Sequence, residues 1–185
     1  SMKKSKFIDC LFMIGMTTFL FFAGNYSQQS FQQEKTKDAT MKITSVAFDN
    51  NQFIPSKYTC DGKNINPPLA FSEIPEGTRS FVLIVDDPDA PAGTWVHWVL
   101  YNIPPDVSTI KEDDVPDGLQ GKNSFSKSSY GGPCPPSGTH RYYFKLYALN
   151  TVLPVFDHPD KKAIETAMKN HSLAQAELIG LYKRE

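Results

Sequence analysis

Three apolar runs, each cut off by proline or asparagine, constrain the fold more than any other feature of this sequence. "SFVLIV" (Ser80 to Val85) is continuous, short and rich in β-branched residues. Six such residues suit a central strand covered on both faces better than a helix. The run stops at "DDPDAP", where Pro88 has no backbone donor and fixes its own φ. "TWVHWVLYNI" (Thr94 to Ile103) reads as a second strand, ended by Pro104 and Pro105. "HRYYFKLYAL" (His140 to Leu149) reads as a third. Its alternation puts His140, Tyr142, Phe144, Leu146 and Ala148 on one face.

The rest of the chain fits around these runs. "KITSVAF" (Lys42 to Phe48) leans toward β structure. Asp49 to Leu69 and Asp106 to Gly132 are full of turn formers and read as long loops or edges. Helix signals come only at the end. Asp160 is placed to cap "KKAIETAMKNH", with Ile164, Ala167, Met168 and His171 on one stripe. Ser172 and Gln175 form a capping-box pattern that opens "LAQAELIGLYK" as a second helix. The expectation is a mostly β domain, with antiparallel sheets in a sandwich or partly closed barrel and short C-terminal helices at one end.

The chain of 185 residues is long enough for one domain with a real core, and its net charge of −1 provides no basic field for nucleic acid. Its first 24 residues differ from the rest. After Ser1, a cloning remnant, Lys3, Lys4 and Lys6 precede the uncharged run "CLFMIGMTTFLFFAG" (Cys10 to Gly24). That run is shorter than the roughly 18–20 residues of a spanning helix and fits a secretory signal, with an uncleaved anchor as the alternative. Residues 25–40 are polar and patternless, a disordered spacer before a domain over 41–185. The expected location is periplasmic or secreted. Such a compartment permits disulfides, and Cys60 and Cys134 remain in the domain. Two free thiols and one bridge are both open.

Three pieces carry chemistry. The hook "DDPDAP" presents Asp87 and Asp89 on a proline-stiffened turn. His97 sits mid-strand between two tryptophans and, by alternation, shares a face with Trp95, Val99 and Tyr101. "GGPCPPSGTHRYYF" sets a glycine–proline loop directly against His140. Gly131 and Gly132 allow close backbone approach, and their N–H groups are candidates for an anion-binding nest. Each piece also has a plain structural reading: a rigid turn, a core histidine, a connector.

Together, "DPDAP" (Asp87 to Pro91), "WVHW" (Trp95 to Trp98) and "GP…GTHRYYFKLYAL" from Gly132 resemble the signature of the phosphatidylethanolamine-binding protein family, which includes Raf kinase inhibitor proteins. "YTCDGKNINPPL" and "LAQAELIGLYKR" resemble its bacterial branch. The resemblance spans nearly all of 41–185. It implies a β-sandwich with a small surface pocket for phosphate or phospholipid headgroups. By motif, that pocket would be lined by Asp87, Asp89, His97, Gly132, Pro133, His140 and Tyr142, with Trp95 at its edge and His140 as its floor. A bridge between Cys60 and Cys134 would tie the long loop to the pocket wall. Two histidines beside two aspartates raise opposed effects, since carboxylates favour imidazolium and burial favours the neutral ring.

The leading expectation is a non-enzymatic binding protein for a small anionic ligand, without cofactor or metal and with peripheral membrane contact among its partners. An inhibitor or scaffold of a protein partner, kinase- or protease-directed, is the alternative. A metal-dependent or acid–base hydrolase is disfavoured because no activated nucleophile or tight ligand spacing such as HExxH is present.

Overall fold

The computed structural model describes residues 40–184. The expected signal segment, nearly all of the expected spacer and Glu185 lie outside the described residues. Nine strands and one α-helix follow in chain order: β1 (Lys42–Thr44), β2 (Gln52–Phe53), β3 (Leu69–Ser72), β4 (Ser80–Asp87), β5 (Trp95–Ile103), β6 (Thr109–Ile110), β7 (Leu119–Gln120), β8 (His140–Leu149), α1 (Lys161–Ala167) and β9 (Ser172–Tyr182). They form a three-stranded sheet, β1-β3-β6, and a six-stranded sheet, β2-β9-β8-β4-β5-β7. All pairings are antiparallel except β2 with β9.

The main core lies between the sheets. Ile43, Leu69 and Phe71 of the small sheet meet Phe81, Leu83, Trp98, Phe144, Leu146 and Leu178 of the large one. On the other face of the large sheet, Val82, Ile84, Val99 and Tyr101 pack under Leu149, Leu153 and Ile164 of α1. Every residue of β4 is therefore buried, as a continuous apolar run requires.

Two expectations need correction. The C-terminal segment holds one helix, not two. Asp160 does cap α1, accepting from the Ala163 N–H at 2.8 Å, and the helix ends at Ala167. Ser172 to Tyr182 is a strand, paired with β8 along almost its whole length. Its local composition favours a helix, but Ala176, Leu178, Gly180 and Tyr182 also alternate, and that period is the one buried. Gly180 is required here, because a Cβ would meet Ile54 Cγ1 at 2.4 Å.

The second correction concerns β5. Asp86 pairs with Val96, but Val85 pairs with Trp98, so His97 is the extra residue of a β-bulge. The bulge breaks alternation: Trp98 and Leu100 join the main core, while Val99 and Tyr101 turn to the opposite face. His97 thus parts from Val99 and Tyr101 and faces Tyr142 of β8, with ring centroids 5.2 Å apart.

Candidate functional site

The ends of β4, β5 and β8 meet the loops that follow β4 and precede β8 at a cavity of about 310 Å³. This lies within the range of small-molecule sites. Asp87, His97 and Tyr142 supply its polar groups; Trp95, Phe125, Pro91 and Pro135 are among its apolar ones.

The strand ends explain the polar corner. Pro88 stops β4, and the Asp87 carboxylate closes the turn by accepting the Asp89 N–H at 2.8 Å. Its other oxygen, Oδ2, accepts from His140 Nδ1 at 2.7 Å. The bulge aims His97 sideways, and its Nδ1 donates to the Gly131 carbonyl at 2.6 Å. Burial pushes the His97 pKa down, against the opposing pull of that carbonyl and of Asp87. Burial prevails at this ring, so His97 is neutral and its Nε2 carries a lone pair. Tyr142 is wholly buried, and its hydroxyl has no hydrogen-bond partner. It lies near the Asp87 carboxylate and the Cys134 N–H without bonding geometry to either. Burial first, then the Asp87 charge, pushes its pKa up, so the hydroxyl stays protonated.

The expected residues divide into two groups. Asp87, Trp95, His97 and Tyr142 line the cavity. Asp89, Gly132, Pro133 and His140 do not. Asp89 faces away, bonded to Arg141 Nε at 2.9 Å and Nη2 at 2.6 Å. Those bonds hold its pKa down at about 2. His140 is not the floor: it is buried behind Asp87 and orients that carboxylate.

Nor do the glycines form an open nest. The Gly131 N–H donates to the His97 carbonyl at 3.0 Å, and the Gly132 N–H to Asn64 Oδ1 at 2.7 Å. Gly132 is needed for close approach to the neighbouring loop, where a Cβ would meet the Tyr58 carbonyl oxygen at 2.5 Å. Pro133 uses its carbonyl to accept the Cys60 N–H at 3.0 Å.

The glycine–proline loop forms a wall of the cavity through Cys134, Pro135 and Pro136, while Ala90, Ala92 and Phe125 were missed by sequence reasoning. Ala90 and Ala92 lie in or beside the "DPDAP" motif, so proximity was an available signal. Phe125 carried none. It is delivered by a loop wound on Asn123, whose Oδ1 accepts the Phe125 and Lys127 N–H groups at 2.9 and 3.0 Å. Cys134 is bonded to Cys60, with Cα atoms 5.4 Å apart. Among the described residues, no three His, Cys, Asp or Glu side chains gather as a metal-ligand set.

Comparison with known proteins agrees with this architecture. The family profile described as phosphatidylethanolamine-binding protein matches residues 44–183. The chain belongs to the phosphatidylethanolamine-binding protein family. It is 50% identical over 151 residues to a UPF0098 protein of Methanothermobacter thermautotrophicus, covering 78% of this chain and 99% of that one. It is 49% identical over 155 residues to one of Aquifex aeolicus, covering 80% and 91%. Among solved structures, a phosphatidylethanolamine-binding protein homologue from Chlamydia trachomatis superposes with a TM-score of 0.78 at 43% identity, over 80% of this chain and 99% of that one. E. coli YbcL, described as a new member of the mammalian phosphatidylethanolamine-binding protein family, gives 0.74 at 33% identity, over 80% and 100%.

Proposed function

We propose that this family member is an exported, non-enzymatic binding protein for a small phosphate-bearing ligand of the phospholipid-headgroup type, held in the cavity at Asp87, His97 and Tyr142. The observation that carries the reading is the Tyr142 hydroxyl, a buried donor without a partner in the wall of an otherwise well-bonded cavity. An unmet buried polar group costs about 1–3 kcal/mol, which a ligand acceptor removes.

The chemistry also selects the ligand's protonation state. No lysine or arginine lines the cavity. Asp87 and the Nε2 of neutral His97 are acceptors; the Tyr142 hydroxyl and Cys134 N–H are donors. A phosphate dianion is repelled by Asp87. A phosphomonoester monoanion keeps one P–O–H, and inorganic phosphate as its monoanion two; such a group can donate to His97 Nε2 while the other oxygens accept from Tyr142. For a phosphomonoester, affinity should therefore rise as pH falls through the ligand's second ionisation, near about 6.

Calorimetric titration with inorganic phosphate and phosphoethanolamine between about pH 7.5 and 5.5 tests this. Tyr142→Phe is the diagnostic variant. It should weaken phosphate binding by about 1–2 kcal/mol while leaving the protein equally or more stable, since it removes an unsatisfied hydroxyl. Affinity that climbs with pH, or a Tyr142→Phe protein that binds normally, would sink the reading.

A further inference from the structure

The outer wall of the cavity is built differently from the loop before it. Residues 130–133 are held by five hydrogen bonds: Tyr130 hydroxyl to the Tyr58 carbonyl at 3.0 Å, Gly131 N–H to the His97 carbonyl, His97 Nδ1 to the Gly131 carbonyl, Gly132 N–H to Asn64, and Cys60 N–H to the Pro133 carbonyl. Residues 134–139 are not. Among the described residues this stretch makes no hydrogen bond, although the Cys134 N–H approaches the Tyr142 hydroxyl. Gly138 at its tip has a φ of +71° and open space around it. Yet Cys134, Pro135 and Pro136 line the cavity. Apart from the chain itself and the packing of the buried Pro135, what ties them down is the Cys60–Cys134 bridge. Both cysteines are exposed.

We propose that the Cys60–Cys134 bridge sets the affinity of the cavity, so that oxidised protein is the high-affinity state for a phosphate ligand and reduced protein the low-affinity state. The proposal rests on the phosphate reading above. A dithiol reductant makes the change. Its thiolate attacks one sulfur of the bridge, the S–S bond breaks, and the other cysteine leaves as a thiolate and takes up a proton. The second thiol of the reductant then displaces the mixed disulfide. Two electrons and two protons pass to Cys60 and Cys134, and the reductant departs as its own disulfide. The wall is then held through the chain at Pro133 and His140 and by the packing of Pro135, with no cross-link or hydrogen bond of its own among the described residues. A ligand that needs Pro135, Pro136 and the Cys134 N–H in place must itself order them, a cost the bridge had removed. By linkage, the ligand must protect the bridge from reduction by the same factor.

The test uses the whole domain, oxidised and dithiothreitol-reduced, titrated with inorganic phosphate, and the equilibrium of the bridge with dithiothreitol measured with and without saturating phosphate. The expected result is a Kd about tenfold weaker after reduction, a phosphate-dependent shift in the redox equilibrium of the same direction and size, and weak binding by a Cys60→Ser/Cys134→Ser protein. Equal affinity in both forms with a phosphate-insensitive redox equilibrium overturns the proposal and leaves the phosphate reading standing. An oxidised protein that does not bind phosphate overturns both. Loss of near-UV circular dichroism on reduction also overturns it, because the bridge would then hold the fold rather than the wall.

Discussion

His97 shows how a single extra residue changes what a side chain can do. In a regular strand it would follow the alternation of Trp95, Val99 and Tyr101. As the bulged residue it is drawn over Gly131 and Tyr142 instead, between Phe125 and the end of β4. Its lowered pKa has a consequence for stability. The folded value lies below the unfolded value near about 6.5, so the unfolded chain binds the extra proton. The stability from burying the neutral ring is fully present above that value and is lost as pH falls through it toward the folded pKa. The slope approaches about 1.4 kcal/mol per pH unit. The neighbouring charges of Asp87 and Asp86 oppose the shift and reduce the total. Urea unfolding between about pH 7.5 and 5 should show wild type losing more stability on acidification than His97→Gln. Parallel curves would mean the ring is protonated in the folded protein.

At the scale of elements, the end of β4 and the turn after it carry three aspartates with three different tasks. Asp87 serves the cavity and Asp89 is tied to Arg141. Asp86 points to the opposite side of the sheet. Its carboxylate is fully buried and accepts from Lys145 Nζ at 2.8 Å and from Lys161 Nζ at 2.6 Å. Lys161 opens α1, so this pairing, with Ile164, holds the helix against β4 and β5. Burial of a carboxylate is tolerated only with partners of this kind, and removing the charge leaves two lysines facing each other. Asp86→Asn should cost about 3 kcal/mol and raise amide exchange across Lys161–Ala167, while the cavity side of β4 changes little. Adding Lys161→Met should recover part of the loss. Unchanged exchange in α1 would show that apolar packing alone docks the helix.

At the scale of the whole molecule, the bridge and the N-terminal segment bear on the same question. Disulfides persist in oxidising compartments. An exposed bridge between Cys60 and Cys134 therefore fits export, which the lysine-led apolar run at Cys10 to Gly24 suggests. The export proposal predicts a mature N-terminus between Ala23 and Thr40 and a bridge already closed in protein taken from the cell envelope. N-terminal sequencing with thiol titration of denatured, unreduced protein checks both. An intact Met2 on cytosolic protein with two free thiols in the domain would refute it.

Much of the large sheet was legible because its three long strands are apolar runs with sharp ends. β4, β5 and β8 each stand where composition and proline put them, and Asp160 caps the one helix. Half of the eight residues expected at the candidate site line it for the same reason: Asp87, Trp95, His97 and Tyr142 lie at or near the ends of those runs. The chain itself determines where a strand must stop and which face its alternation offers, since both follow from local sterics and burial. Only the tertiary structure decided the rest. Ser172 to Tyr182 carries a helical composition, and the free edge of β8 made it a strand, because ten paired residues outweigh a modest difference in propensity. The bulge at His97, the withdrawal of Asp89 and His140 behind the cavity, the arrival of Phe125 in its wall and the closing of Cys134 on Cys60 all depend on partners 26 to 74 residues away. Contacts of that range leave no period or spacing in a single chain, because they are selected by which surfaces close against one another after the strands have formed.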